Sequence, residues 1–143
     1  MSVDRPFFDS NVLLYLLSDD AVKADRAESI VADGGVVSVQ VLNEVTSVVR
    51  RKLAMPWEEV NELLSLITSL CAVEALTVAT HEHGRRIAER FGLGIHDAMI
   101  VAAALLAGCK TLFSEDMHDG MLIDRQLRIR NPFQVAKTHK DSN

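Results

Sequence analysis

Two cysteines in 143 residues, Cys71 and Cys109, each stand alone beside apolar neighbours. That leaves no paired spacing for a zinc site or a dithiol redox motif, and both read as buried free thiols. Long apolar runs are missing as well: the longest uncharged one, residues 98–108, falls well short of the roughly 20 residues that cross a bilayer as a helix. Asp4, Arg5 and Asp9 interrupt the apolar residues near the start. No signal peptide is therefore expected, and a cytoplasmic location is. Positive charge is also in deficit, with 15 Lys and Arg against 20 Asp and Glu for a formal net charge of -5. A phosphate backbone is normally gripped by a basic surface, so this balance argues against broad electrostatic binding of nucleic acid. A nucleic-acid substrate would need metal ions or a local basic patch. Repeats, linkers and low-complexity tracts are absent too, so the expectation is one domain over residues 1–136 with a polar, frayed tail at 137–143.

What the chain does have is the composition of a soluble globular protein, 48% hydrophobic and 24% charged, in a length that buries a real core. An apolar run over 3–8 reads as a buried strand ending at Asp9, and Ser10 and Asn11 are helix-capping types that open the apolar segment 12–17. A helix is expected over 21–32, ended by Asp33, Gly34 and Gly35, and a strand over 36–39. Val41, Val45, Val48 and Val49 form the apolar stripe of a helix over 39–53, on which Glu44 also lies. Arg50, Arg51 and Lys52 gather at its last turn, where cations suit the helix dipole. Pro56 opens a helix with Glu58 and Glu59 in its first turn, running to about residue 70. A strand over 72–78 follows, then a helix over 81–91 capped by Thr80. Gly92 and Gly94 lead to Asp97, behind which Ile100, Val101, Ala104 and Leu105 recur at helical spacing until Gly108. Residues 110–114 read as a strand, and after Gly120 a few helical residues precede a closing strand at 127–129. Strands alternating with helices imply an α/β fold with a central parallel sheet. In such sheets ligands bind beyond the carboxyl ends of the strands, where Asp116 and Asp119 would fall.

Asp9, Glu44, Asp97 and Asp116 share one oddity, in that each sits at an element end or on an apolar stripe. Taken singly, each has an ordinary explanation: a strand end, a charge reaching water, a partner for a helix dipole, a turn acid. Together they need compensation, because an unpaired buried carboxylate costs several kcal/mol. Clustered acids raise one another's pKa, whereas a hard divalent cation such as Mg²⁺ or Mn²⁺ reverses the penalty. Two such ions about 3.5 to 4 Å apart can activate water and stabilise the leaving oxygen of a phosphodiester. No histidine pair has zinc spacing. His96 and His118 flank the acids, but two-metal hydrolysis needs no histidine, and both read as packing or solvent-facing residues. Arg85, Arg86 and Arg90, like the basic turn at 50–52, read one by one as solvated helix faces.

Four stretches, FFDSNVLLYLL, SVQVLNEV, IHDAMIVAAALLAG and TLFSEDMHDG, resemble in order and spacing the PIN-domain ribonucleases, and more narrowly the VapC-type toxins of toxin–antitoxin pairs. The resemblance implies a PIN-like domain with a central parallel sheet flanked by helices, an acidic Mg²⁺ or Mn²⁺ site, cleavage of RNA, a homodimer, and a small antitoxin that silences it. By position, Asp9, Glu44 and Asp97 match the family's first three acids. Asp116 holds a place where many relatives have Asn, and Asp119 the acid position three residues on. Asp116 is expected as the fourth ligand, with Asp119 supporting through water. Ser10, Asn11 and Ser114 are expected to support the ligands from behind. Two other readings compete. A phosphatase of the haloacid dehalogenase class also begins with an acid after its first strand, but needs a second Asp where this chain has Asn11. A non-catalytic PIN-like module would use the acidic groove to dock a basic partner, although a docking module need not keep four converging acids. An antitoxin would bring an amphipathic helix and a basic side chain, expected to be Arg, to compete with the metal.

Overall fold

Strand and helix alternate through most of the computed structural model, which describes residues 4–134. In order these are β1 (Phe7–Phe8), α1 (Ser10–Leu14) continuing into a 3-10 turn (Tyr15–Leu17), α2 (Ala21–Ala32), β2 (Gly35–Ser38), α3 (Val39–Arg51), α4 (Trp57–Leu70), β3 (Cys71–Glu74), α5 (Val78–Phe91), α6 (Ile95–Leu106), β4 (Thr111–Phe113), β5 (Leu122–Ile123) and β6 (Leu127–Arg130). Of the strand expected over 3–8, Val3 lies outside the described residues, residues 4–6 form no strand and only Phe7–Phe8 do; the expected tail at 137–143 also lies outside the described residues.

The strands make one sheet in the order β3-β2-β1-β4-β6-β5. All neighbours are parallel except β5 with β6. β1 is central: Phe7 pairs with Val36 on one side and with Leu112 on the other. Helices cover both faces of such a sheet, so its inner strands are apolar without alternation, as Phe7, Phe8, Val36, Val37 and Leu112 are here. Gly35 is required by this packing, because a Cβ there would lie 2.6 Å from the Pro6 carbonyl oxygen and closer still to the Phe8 ring. Gly84 plays the same part between α5 and α6, where a Cβ would meet the Met99 sulfur at 2.5 Å. That close approach seats α6, which is buried at Ala98 and continuously from Ile100 to Leu105. The chain runs from β1 outward to β3 and then returns to β4 on the other side of β1. The order therefore reverses between β1 and β4, and the carboxyl ends of those two strands form the crevice where ligands bind in open α/β sheets.

Three local expectations are corrected. The strand expected over 72–78 stops at Glu74, because α5 begins at Val78 rather than 81. Its N-cap is Thr77, not Thr80: each threonine's side chain meets the other's backbone N–H in a reciprocal capping box, with Thr80 at the third helical position. The helical residues expected after Gly120 are instead a hairpin in which Ile123 pairs with Leu127. Asp124 and Arg125 take positive φ of 51° and 58° at its turn, closed by the Gln126 N–H donating to the Ile123 carbonyl at 3.0 Å. Both cysteines are buried free thiols, as expected. Among the described residues no helix is long and apolar enough to cross a membrane.

Candidate metal centre

Asp9 follows β1 directly, and its backbone N–H donates to the Phe113 carbonyl of β4 at 3.0 Å. This bond pins the residue at the reversal point, with its side chain 4% exposed. The carboxylate caps α1, accepting from the Ser10 N–H at 2.7 Å on Oδ1, with the Ser10 hydroxyl at 3.4 Å. On Oδ2 it accepts from the Ser114 hydroxyl at 2.8 Å and the Asn11 side-chain amide at 3.3 Å. All four donors are neutral. Burial pushes the Asp9 carboxyl up to about 6; the Ser114 and Ser10 bonds oppose the shift, and the charges of Glu44 and Asp97 add to it.

The other acids reach the same crevice from separate elements. Ser38, at the end of β2, caps α3 by accepting from the Val41 N–H, and Glu44 follows in the second turn, half-buried. One helical turn before it, Gln40 donates to the Glu44 carboxylate at 3.4 Å and to the His96 carbonyl at 3.0 Å, tying α3 to the start of α6. Asp97 lies in the first turn of α6. Its carboxyl is raised by burial first, then by the charges of Asp116 and Glu44, against a smaller lowering by His96. Asp116 is exposed in the turn after β4 and accepts from the Asn11 amide at 3.1 Å. Asn11 thus donates to two of the acids, while its oxygen accepts from the Glu115 N–H at 3.1 Å. Ser114 closes the same turn, its hydroxyl accepting from the Met117 N–H at 3.3 Å.

The charges of Glu44 and Asp97 therefore act on Asp9, and those of Glu44 and Asp116 on Asp97. Among the described residues, none of the four has a Lys, Arg or His partner within 4.0 Å. Nor, among those residues, are any three His, Cys, Asp or Glu side chains grouped closely enough to hold an ion as they stand. Like charges with nothing positive between them favour separation, and a cation would draw them inward. The donor set fits Mg²⁺ or Mn²⁺: all oxygen, anionic, uncompensated, and with Asp9 buried and oriented by three neighbouring side chains and a backbone N–H.

Asp119 stands apart from this cluster. It is exposed, its carboxylate accepts from the Asn131 N–H at 2.8 Å, and its charge does not figure in the shifts of Asp9 or Asp97. His96 and His118 are exposed. Of the basic residues, Arg50 donates to the Met55 carbonyl and stacks on Trp57, Arg90 pairs with Asp124, and Arg51, Lys52, Arg85 and Arg86 are exposed. Sequence reasoning missed Gln40, whose spacing of four residues before Glu44 was the available signal. It also missed a cluster beside the acids: Tyr15 donates to Glu115 at 2.5 Å, and Lys23 donates to its other oxygen at 2.7 Å. A cleft of about 320 Å³ next to this cluster is lined by Leu14, Leu17, Val48 and Leu53, with Asn11 and Glu115 on its wall.

The model of the PIN domain family matches residues 7–118, which include all four acids. Among curated proteins no sequence relative matches the chain. Solved structures share the fold at low identity. A toxin–antitoxin complex from Klebsiella pneumoniae contains a chain 18% identical with a TM-score of 0.69, the match covering 91% of this chain and 99% of that one. FitAcB from Neisseria gonorrhoeae is 17% identical with a TM-score of 0.64, over 91% and 99%. VapC20 of Mycobacterium tuberculosis, described as a sarcin–ricin loop cleaving toxin, is 17% identical with a TM-score of 0.63, over 78% and 91%.

Proposed function

The chain belongs to the PIN domain family, and from that premise we propose that it is a Mg²⁺- or Mn²⁺-dependent endoribonuclease, the toxin of a toxin–antitoxin pair. The observation that carries the reading is the set of four uncompensated carboxylates at the sheet's reversal point, with Asp9 buried among neutral donors. Asp9, Glu44, Asp97 and Asp116 would hold the ion. When bound there, a divalent cation supplies a water of lowered pKa and charge stabilisation at a phosphodiester. The chain's own part is to keep the oxygens aimed. Ser10, Asn11 and Ser114 orient Asp9, Asn11 also orients Asp116, and Gln40 steadies Glu44 against α6. The first turn of α6 brings Asp97 to the crevice with its helix dipole behind it. Substrate phosphates would approach through the ion, which suits a chain of net charge -5.

An antitoxin partner is supported by the similarity to chains from toxin–antitoxin complexes and by the apolar cleft beside the acids. An amphipathic helix would lie in that cleft and present a basic side chain to the carboxylates. The reading includes a homodimer acting in the cytoplasm. The test is cleavage of total RNA by purified protein with Mg²⁺ or Mn²⁺, with a chelator, and with Asp97→Asn. Metal-dependent cleavage lost in the variant is expected. A second reading, a docking module for a basic partner segment, is favoured by the absence, among the described residues, of three acids already grouped for an ion. Equal and chelator-insensitive background from both proteins would turn the assignment to that reading.

A further inference from the structure

We propose that Lys23 and Tyr15 are positioning residues that draw the Glu115 carboxylate away from the acidic crevice and so leave Asp116 as the oxygen donor of that turn. The inference rests on the metal-site reading above. Residues 114–116, Ser-Glu-Asp, place two carboxylates side by side after β4, and either could serve a cation by chemistry alone. Their surroundings differ. Both oxygens of Glu115 are taken, Oε1 by the Tyr15 hydroxyl at 2.5 Å and Oε2 by the Lys23 ammonium at 2.7 Å. Its backbone N–H is taken as well, by the Asn11 side-chain oxygen at 3.1 Å. Lys23 is itself located by Tyr15, donating to the hydroxyl at 3.1 Å and lying 4.7 Å from the ring centroid. Tyr15 packs against Phe133 with ring centroids 4.5 Å apart. The Lys23 and Glu115 side chains are 33% and 25% exposed, so the pair is neither buried nor free in water.

With Glu115 held at three points, the peptide that continues into Asp116 has little freedom. Asp116 in turn meets the amide of Asn11, the same side chain whose oxygen holds the Glu115 N–H. The charge of Glu115 does not figure in the shifts of Asp9 or Asp97, whereas that of Asp116 acts on Asp97. Lys23 thus neutralises the one acid of the turn that is turned away.

The test is Mn²⁺ binding to the full chain, read by electron paramagnetic resonance of the free ion and so independent of cleavage. Lys23→Met is expected to weaken binding about tenfold, the low end of what supporting partners of metal ligands contribute. Lys23→Arg should stay within about twofold of wild type, and adding Glu115→Gln to Lys23→Met should bring no further loss, since the two residues act as one pair. A role of simple charge predicts the opposite sign, because removing a cation near an acidic site tightens Mn²⁺ binding. In metal-free protein, amide hydrogen exchange at Glu115 and Met117 should quicken in Lys23→Met while the amides of α3 and α6 keep their rates. Binding unchanged or tightened in Lys23→Met, while Asp97→Asn abolishes it, would overturn the clamp and leave the metal site standing. No Mn²⁺ binding by wild type would overturn the metal site and the choice of ligand together.

Discussion

Asp9, at the end of β1, and Glu115, in the turn after β4, lie on either side of Ser114 and Asn11, yet their surroundings are opposite. Glu115 has an ammonium and a phenol on its oxygens: burial alone would raise its carboxyl, but Lys23 and Tyr15 outweigh it and hold it below the usual range. Asp9 has only neutral donors, and burial carries it up to about 6. A carboxylate whose charge is answered within the chain is structural. One that is buried, oriented and unanswered is the carboxylate the proposed ion would neutralise, and in this chain it lies where the sheet order reverses.

The contrast breaks most sharply at Asp97, which feels Asp116 and Glu44 and has no cation of its own among the described residues. Asp97→Asn should reduce metal-dependent RNA cleavage by more than about 100-fold, beyond the range of outer contacts, with the circular dichroism spectrum retained. Ser114→Ala removes the shortest side-chain bond to Asp9 and should cost about tenfold in cleavage. Because that bond lowers the Asp9 carboxyl, its loss also moves the acid limb of the pH profile upward, which a gel assay across pH 5 to 8 would read (roughly the span in which such a carboxyl titrates).

Asp9 also sets the pH dependence of the metal-free protein. Its folded carboxyl titrates near 6 against an ordinary 3.8, so the native state binds the proton more tightly than the unfolded chain does. Stability from this group is therefore full below about pH 4 and is lost as pH rises through about 6, by roughly 3 kcal/mol in all. Asp9→Asn removes the charge but places an amide against donors from Ser114 and Asn11. The net effect expected in urea unfolding at pH 7.5 is a gain of about 1–2 kcal/mol without metal, turning into a loss of about 1–2 kcal/mol below pH 4, where the charge no longer costs anything and the amide mismatch remains. A loss at pH 7.5 would mean the carboxylate is answered inside the chain after all. The smallest effect belongs to Asp119, whose carboxylate ties down the Asn131 N–H. Asp119→Asn should change cleavage and Mn²⁺ binding by less than about twofold, since it touches no ligand.

Legibility followed the range of the interaction. The helices at 21–32 and 39–53 could be read within two residues of their ends because periodic apolar residues and local caps mark them. The hairpin at 122–130 could not, since its turn uses Asp124 and Arg125 at positive φ, where glycine or asparagine would have announced it. The start of α5 was misplaced because Thr77 and Thr80 are equally good capping types, and only the backbone shows which one stands outside the helix. Asp9, Glu44 and Asp97 were legible as acids in apolar settings. Asp119 was not separable from Asp116 by spacing alone.

By itself the sequence determined the alternation of strand and helix and the family, and it singled out the four acids as candidates, because apolar period, cap chemistry and motif order are local properties of the chain. The tertiary structure decided which carboxylates are answered. Lys23 and Tyr15 lie 92 and 100 residues from Glu115, and nothing in a linear pattern couples segments so far apart. Only the return of β4 to the side of β1 brings them together, and the same return leaves Asp9 buried, oriented and without a counter-charge.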